Sequence, residues 1–297
     1  MPDPAADRPL RVVLALQLCD PELDLALTAV EMFLAAAPGA DAHVLLTDDA
    51  STAGVGDEAV RRIQRLGPSA ELLPMTVARG FHGTGTRVGR LLDHAQQHAG
   101  DDDLVVKIDT DTLFVSDRFG PLLRELSQEP GPFLAGQSLP LRKRDALLML
   151  ADTLPLGFRR RVVAGVLEHG WGPRFRPTVV TGQGLRALRH GYRFRFFGGG
   201  LLVLNRPLLD AMARRHLLDW SPRRLGLLFH DDVVVTILAA ACRAKAIHLP
   251  DDGTLRLRKG ATLADDVDPQ WCFVHPVKNG PEGDRLRDEV RARFAAG

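Results

Sequence analysis

The sequence predicts an α/β protein, and three observations carry that prediction. The first hundred residues alternate short apolar runs with amphipathic ones, which implies a parallel sheet covered by helices on both faces. The 297 residues, 45% of them hydrophobic, suffice for a substantial core in one large domain or two small ones. A charged content of 25%, with 38 basic against 37 acidic residues, excludes a disordered or collagen-like chain. That balance also removes any overall reason to expect nucleic acid as a partner. Only five of the basic residues are Lys (107, 143, 245, 259 and 278), so an isolated Arg carries little information.

Arg11–Leu18 reads as the first strand, followed by a helix over Pro21–Ala36 with Asp20 and Pro21 at its start. Ala42–Thr47 is a second strand ending at Asp48-Asp49, Asp57–Leu66 a helix and Leu72–Ala78 a third strand. Thr84–His98 is helical, with Val88, Leu91, Leu92 and Ala95 on one face. Leu104–Ile108 is a short strand, wholly apolar apart from Lys107. Ligands of such sheets sit beyond the carboxyl ends of the strands. Residues 140 to 192 differ, with Arg142-Lys143-Arg144 and Arg159-Arg160-Arg161 around apolar helical stretches, then Gly170-Trp171-Gly172-Pro173. Phe194–Asn205 returns to strand across Gly198-Gly199-Gly200. Pro207–Leu218 and Asp232–Arg243 read as helices, Ala246–Leu249 and Thr254–Arg258 as extended, and a charged helix follows from Glu282.

Cys19, Cys242 and Cys272 are an odd number of widely spaced thiols with no CxxC, which removes a zinc knuckle or thioredoxin motif and suggests a reducing compartment. The run before Cys19 has the wrong flanks for a lipoprotein signal, and Val233 to Cys242 falls short of the ~20 residues that span a bilayer. The expectation is a cytoplasmic protein with no membrane span.

The sharpest feature is Asp109-Thr110-Asp111, after the apolar strand and before Leu113-Phe114-Val115. Residues two apart on an extended chain point to the same side, so both carboxylates would face one cation. Two hard oxygen donors suit Mg²⁺ or Mn²⁺ with phosphate oxygens completing the shell, as a nucleoside-diphosphate-sugar would supply. Asp101-Asp102-Asp103, in front of the strand, reads as a solvated acidic loop. Gly83-Thr84-Gly85-Thr86-Arg87-Val88 fails as a dinucleotide motif because Val88 stands where GxGxxG needs its third glycine.

Val105 to Val115, centred on the acidic pair, resembles the DxD segment of GT-A-fold glycosyltransferases. Phe197-Gly198-Gly199-Gly200-Leu201-Leu202-Val203-Leu204 resembles the glycine-rich strand of β1,3-galactosyltransferase- and fringe-like enzymes. Asp231-Asp232-Val233 resembles their Glu-Asp-Val motif. Phe273-Val274-His275-Pro276-Val277-Lys278 is similar to the segment whose His closes the metal site, with a Lys nearby as in glycogenin-like enzymes. The chain departs from the β1,3 pattern in having Asp-Thr-Asp for Asp-Asp-Asp and Asp-Asp for Glu-Asp.

The resemblance implies a GT-A-type Rossmann-like sheet with an acceptor-side lobe. It divides the chain into a catalytic domain over 10–280 and a C-terminal helix over 281–297. Within the domain, 10–137 would bind the nucleotide-sugar, while 138–280 would form the acceptor half and the metal-closing segment. The implied activity is that of a metal-dependent, inverting hexosyltransferase acting from a nucleoside-diphosphate-sugar, UDP-sugar favoured, on a hydroxyl of a small molecule or glycan. Asp109, Asp111 and His275 would hold Mn²⁺ or Mg²⁺, and Lys278 would neutralise diphosphate charge. Asp232 would act as base, with Asp231 the second choice. Gly198, Gly199 and Gly200 would let backbone approach the sugar, and Asp48 and Arg87, with Arg90 beside it, would contact the nucleotide and its phosphates.

Other readings of the same residues stay open. His275 can simply end a strand before Pro276, the glycines can form a bulge, Asp231 and Asp232 can cap a helix, and Asp48-Asp49 can make a turn. Trp171 and Trp220 suit core packing as well as sugar stacking. Asp109-Thr110-Asp111-Thr112-Leu113 also fits the DxDxT signature of haloacid-dehalogenase-type phosphatases. There Asp109 would be the nucleophile, Asp111 the acid/base and Asp231-Asp232 the Mg²⁺ pair, but that signature normally lies on a first strand. A non-catalytic sugar-nucleotide binder is the third reading.

Overall fold

The computed structural model describes residues 9–18, 22–48, 54–74, 84–141, 179–218, 231–249, 256–257 and 271–296. Cys19, Asp49, the basic clusters at 142–144 and 159–161, Trp171 and Trp220 lie outside them. The strands are β1 (Leu10–Leu18), β2 (Ala40–Asp48), β3 (Ser69–Pro74), β4 (Leu104–Ile108), β5 (Leu113–Phe114), β6 (Phe133–Pro140), β7 (Arg195–Asn205), β8 (Lys245–His248), β9 (Arg256–Leu257) and β10 (Phe273–His275). The helices are α1 (Leu23–Ala36), α2 (Val55–Arg65), α3 (Thr84–His98), α4 (Phe119–Ser127), α5 (Val179–Arg189), α6 (Arg206–Ala213), α7 (Asp231–Ala241) and α8 (Pro281–Ala296). Among the described residues no helix is long and apolar enough to cross a membrane.

Side-chain alternation along β1 explains the layering. Val12, Leu14, Leu16 and Leu18 enter the core shared with α1, α2 and α8, while Val13 and Ala15 enter the one shared with α3, α6 and α7. β2 runs longer than its apolar run suggests because it pairs with β1 along its whole length, from Leu10↔Ala40 to Leu18↔Asp48. β1 to β4 are mutually parallel, in the spatial order β3-β2-β1-β4, as the alternation of apolar and amphipathic segments implies.

The sheet then becomes mixed. β7 runs antiparallel between β4 and β6, and β8 closes the seven-stranded sheet parallel to β6. β6 is not visible in the sequence pattern, since Gly136, Gln137 and Pro140 read as loop. It is a strand because neighbours on both sides satisfy its backbone. Asn205 anchors the junction: its Oδ1 accepts from Phe133 N at 3.1 Å and from Leu208 N at 3.3 Å, capping α6, while Nδ2 donates to Gly131 O at 2.7 Å.

A three-stranded sheet, β5-β10-β9, stands beside the carboxyl end of β4. An aromatic group holds it down. Phe114 on β5 packs on Phe33 of α1, Phe119 of α4 and Phe273 of β10, with ring centroids 5.5, 4.8 and 6.2 Å away. All four rings are fully buried.

Candidate active site

The two carboxylates after β4 come together differently from what an extended chain would give. Thr112 N donates to Asp109 O at 3.1 Å, so residues 109–112 form a turn. The turn folds Asp109 and Asp111 towards a third group, His275. Its Nε2 lies 3.6 Å from Asp109 Oδ2 and its Nδ1 3.0 Å from Asp111 Oδ1. One ligand atom from each of the three residues lies within 4.8 Å of the others. Two carboxylate oxygens and one imidazole nitrogen this close fit a divalent cation.

Sheet pairing brings His275 here. β10 pairs antiparallel with β5 through Phe273↔Phe114 and Val274↔Leu113, which carries the chain's next residue to Thr112. Val277 N then donates to Asp111 O at 2.8 Å, extending the contact past β10. Thr112 Oγ1 donates to Gly200 O at 2.7 Å, so towards His275 Nδ1, at 3.3 Å, it presents lone pairs. With Asp111 Oδ1 also facing Nδ1, the ring proton belongs on Nδ1 and Nε2 keeps the free lone pair. Gly200 serves this arrangement directly: a Cβ there would lie 2.5 Å from His275 Cγ and 2.7 Å from Cδ2. The third glycine of the triplet makes room for the imidazole ring.

Electrostatics divide the cluster. Burial alone would raise the Asp111 carboxyl, but its contacts with His275 and Lys278 outweigh that and hold it at about 2. Asp109 goes the other way, pushed up by burial against the pull of Lys107 and His275. Lys278 ion-pairs with Asp111 while most of its side chain stays exposed. Burial would lower the Lys278 ammonium, yet Asp111 holds it above the usual lysine value.

Lys107 is the residue of this cluster that motif reading passed over. Its side chain, 3% exposed, shares the buried sheet face with Val105. The ammonium meets Asp109 Oδ1 at 2.7 Å, Asp231 Oδ2 at 3.2 Å and Asp232 Oδ1 at 3.6 Å. Burial would drive it neutral, but the three carboxylates hold it charged, well above the usual lysine value. One ammonium thus joins the turn after β4 to the first turn of α7. Asp231 and Asp232 are the first two residues of that helix, where a negative charge suits its dipole. Burial, reinforced by Asp231, pushes the Asp232 carboxyl well above the usual carboxylate range. The sequence signal was a lone charge inside an otherwise apolar strand.

The remaining expected residues sit around this centre. Asp48 ends β2, and its Oδ2 would lie 3.2 Å from a Cβ on Gly56, against the first turn of α2. Arg87, 7% exposed, donates from Nε to Gln17 Oε1 at 3.0 Å on β1. Arg90, one turn on, is exposed. Gly198 is buried in β7 two residues ahead of Gly200, with Gly199 between them. Of the acidic loop, Asp101 and Asp102 are exposed, but Asp103 is buried and accepts from Gly100 N at 2.6 Å.

No protein-family model matches the sequence, and no curated protein matches it. Solved structures do. The galactosyltransferase LgtC, in complex with donor and acceptor sugar analogues, is 12% identical over 97% of this chain and 96% of its own, with a TM-score of 0.50. The bifunctional glycosyltransferase WbbM is 13% identical with a TM-score of 0.51; the match covers 99% of this chain but 50% of WbbM. The mannosyltransferase PcManGT from Pyrobaculum calidifontis, solved with GDP-Man and Mn²⁺, is 17% identical over 98% of this chain and 66% of its own, with a TM-score of 0.47. Identities this low speak for the fold alone. They leave the phosphatase reading without support, since the acidic turn follows the fourth strand of a sheet shared with glycosyltransferases. Strand order, the acidic turn and these neighbours agree: this chain has the fold of the GT-A glycosyltransferases.

Proposed function

We propose that the protein transfers a hexosyl group from a nucleoside-diphosphate-sugar to a hydroxyl acceptor, a small molecule or glycan, with inversion. The observation that carries this reading is the Asp109–Asp111–His275 group beyond β4 in a GT-A fold. Those residues would hold Mn²⁺, for which an imidazole donor is more suitable than for Mg²⁺; as a Lewis acid it would stabilise charge on the departing diphosphate. The motifs favour a UDP-sugar as donor.

The chain's own groups then have distinct tasks. Lys278, anchored at Asp111 on a long exposed stem, has the charge and reach to meet a diphosphate. Asp232 takes the acceptor proton. Its Oδ1 faces the Lys107 ammonium at 3.6 Å, and burial raises its proton affinity, which suits a base. As the acceptor O–H bond breaks towards Asp232, the oxygen bonds to the anomeric carbon. The bond from that carbon to the diphosphate oxygen breaks, its electron pair leaving with the diphosphate. Asp231, nearer Lys107 and more deeply buried, holds the pair in position and is the second candidate base. Asp48 and Arg87 complete the nucleotide side of the site.

Titration with UDP-, GDP- and dTDP-sugars, with Mn²⁺ or with EDTA, tests the reading. Metal-dependent binding of one donor class and its slow hydrolysis are expected. Asp232→Asn should keep donor binding and lose hydrolysis; retained hydrolysis would refute the base assignment. Failure of every donor to bind would refute the whole proposal, and binding without turnover under any acceptor would mark a sugar-nucleotide binder instead.

A further inference from the structure

Away from the metal-type centre, a groove of about 830 Å³ opens between α5, α7 and the edge formed by β6, β7 and β8. That is within the roughly 300–1,000 Å³ of ordinary small-molecule sites. Its floor is apolar, with Phe197, Ala239 and Ala240 among the lining residues. Its rim carries Arg189, Arg193, Arg195 and Arg243, and among the described residues no carboxylate lines it. Arg195 donates to Ser138 Oγ at 2.6 Å and to its carbonyl at 2.8 Å, and Arg243 donates to His190 Nε2 at 3.2 Å. Among the described residues none of the four guanidiniums has an acidic partner. Elsewhere Arg61, Arg62, Arg206 and Arg291 each pair with a carboxylate, and of the groove's cations Lys245 pairs with Glu129.

A second observation points the same way. The Tyr192 hydroxyl, also lining the groove, is buried without a hydrogen-bond partner among the described residues. Burial raises its pKa, so it remains a donor in want of an acceptor.

We propose that this groove is a second ligand site, for a small amphipathic anion. Its apolar or aromatic body would lie on Phe197 and the alanines of α7, its carboxylate, phosphate or sulfonate on the guanidinium rim. Charge complementarity selects this occupant over a neutral one. Through Thr236 the groove also touches the backbone of two segments of the candidate active site. That side chain donates to Asp232 O at 2.8 Å and accepts from Phe197 N at 3.1 Å, just ahead of the glycine triplet.

Two dyes sharing an aromatic body test the site without relying on the transferase reading. 1-Anilinonaphthalene-8-sulfonate carries an anion, and N-phenyl-1-naphthylamine does not. Titrated into the full chain, the sulfonate should bind saturably, at least tenfold more tightly than the neutral dye, and weaken with salt. Arg189→Glu with Arg193→Glu should cut sulfonate affinity tenfold or more and leave the neutral dye unchanged. Tyr192→Phe should cost a few-fold, with unchanged circular dichroism showing that both variants fold. Equal affinity for the two dyes, or an unaffected double variant, would overturn the anion site. So would silence of both dyes on the unmodified chain, as when another part of the chain fills the groove. Competitive displacement by UDP with Mn²⁺ would put the dye in the candidate active site and overturn the separate one.

Discussion

Replacing Lys107 by Met keeps most of the side chain's length and removes its charge. The ammonium lies 2.7, 3.2 and 3.6 Å from carboxylates of Asp109, Asp231 and Asp232, with 3% of the side chain exposed. A unit pair at about 4 Å is worth about 4 kcal/mol at an effective dielectric near 20, most of it offset by the dehydration of both groups. What the substitution exposes is the other half of that balance: three carboxylates left in a buried cluster with no cation. Breaking one side of a buried pair costs about 3–5 kcal/mol, which for a chain this size lowers the melting temperature by roughly 5–8 °C. The loss carries a pH signature. Without Lys107 the folded-state pKa values of Asp232 and Asp109, already raised by burial, rise further, so the native state binds more protons than the unfolded one. Stability of the variant is therefore greatest at low pH and declines as pH rises through those values. Thermal melts of the unmodified chain, Lys107→Met and Lys107→Arg from pH 5 to 9, in EDTA, check this. The gap to the unmodified chain should widen with pH, and adding Asp231→Asn should recover part of it. A melting point within about 2 °C of the unmodified chain at every pH, or a gap that does not change with pH, would refute the charge-hub reasoning.

Three further substitutions probe the geometry around that hub. Gly200→Ala puts a methyl 2.5 Å from the His275 ring, so calorimetric titration should register at least a tenfold loss of Mn²⁺ affinity, with about 1–3 kcal/mol of stability. Thr112→Val removes the bond to Gly200 O and the contact with His275 Nδ1; roughly 10–100-fold weaker Mn²⁺ binding is expected with the fold intact by circular dichroism. Phe114→Ala empties the centre of the four-ring cluster, and denaturant melts should report a loss of about 3–5 kcal/mol.

Local periodicity was enough for β1 to β4 and the helices between them, because a strand buried on both faces and a helix buried on one each write their period into neighbouring residues. It was not enough for β6, whose Gly136 and Pro140 signal a loop until β7 and β8 supply partners. Asp109 and Asp111 were legible as a pair, yet the geometry joining them is a turn, which spacing alone does not distinguish from an extended segment. The role of Gly200 was legible only as a missing side chain. That the missing Cβ makes room for an imidazole depends on a strand far along the chain.

The sequence by itself determined the parallel half-sheet and marked the acidic pair, the glycine triplet, the second acidic pair and His275 as chemistry-bearing residues. Only the tertiary structure decided which of them meet. His275 reaches the acidic turn, 163 residues from Thr112, because β10 adds to β5, and such pairing depends on backbone hydrogen bonds that leave no local pattern. Lys107 gained its meaning in the same way. An ammonium in an apolar strand is an anomaly by sequence, and it becomes a tie between two motifs only when α7 delivers two more carboxylates to it.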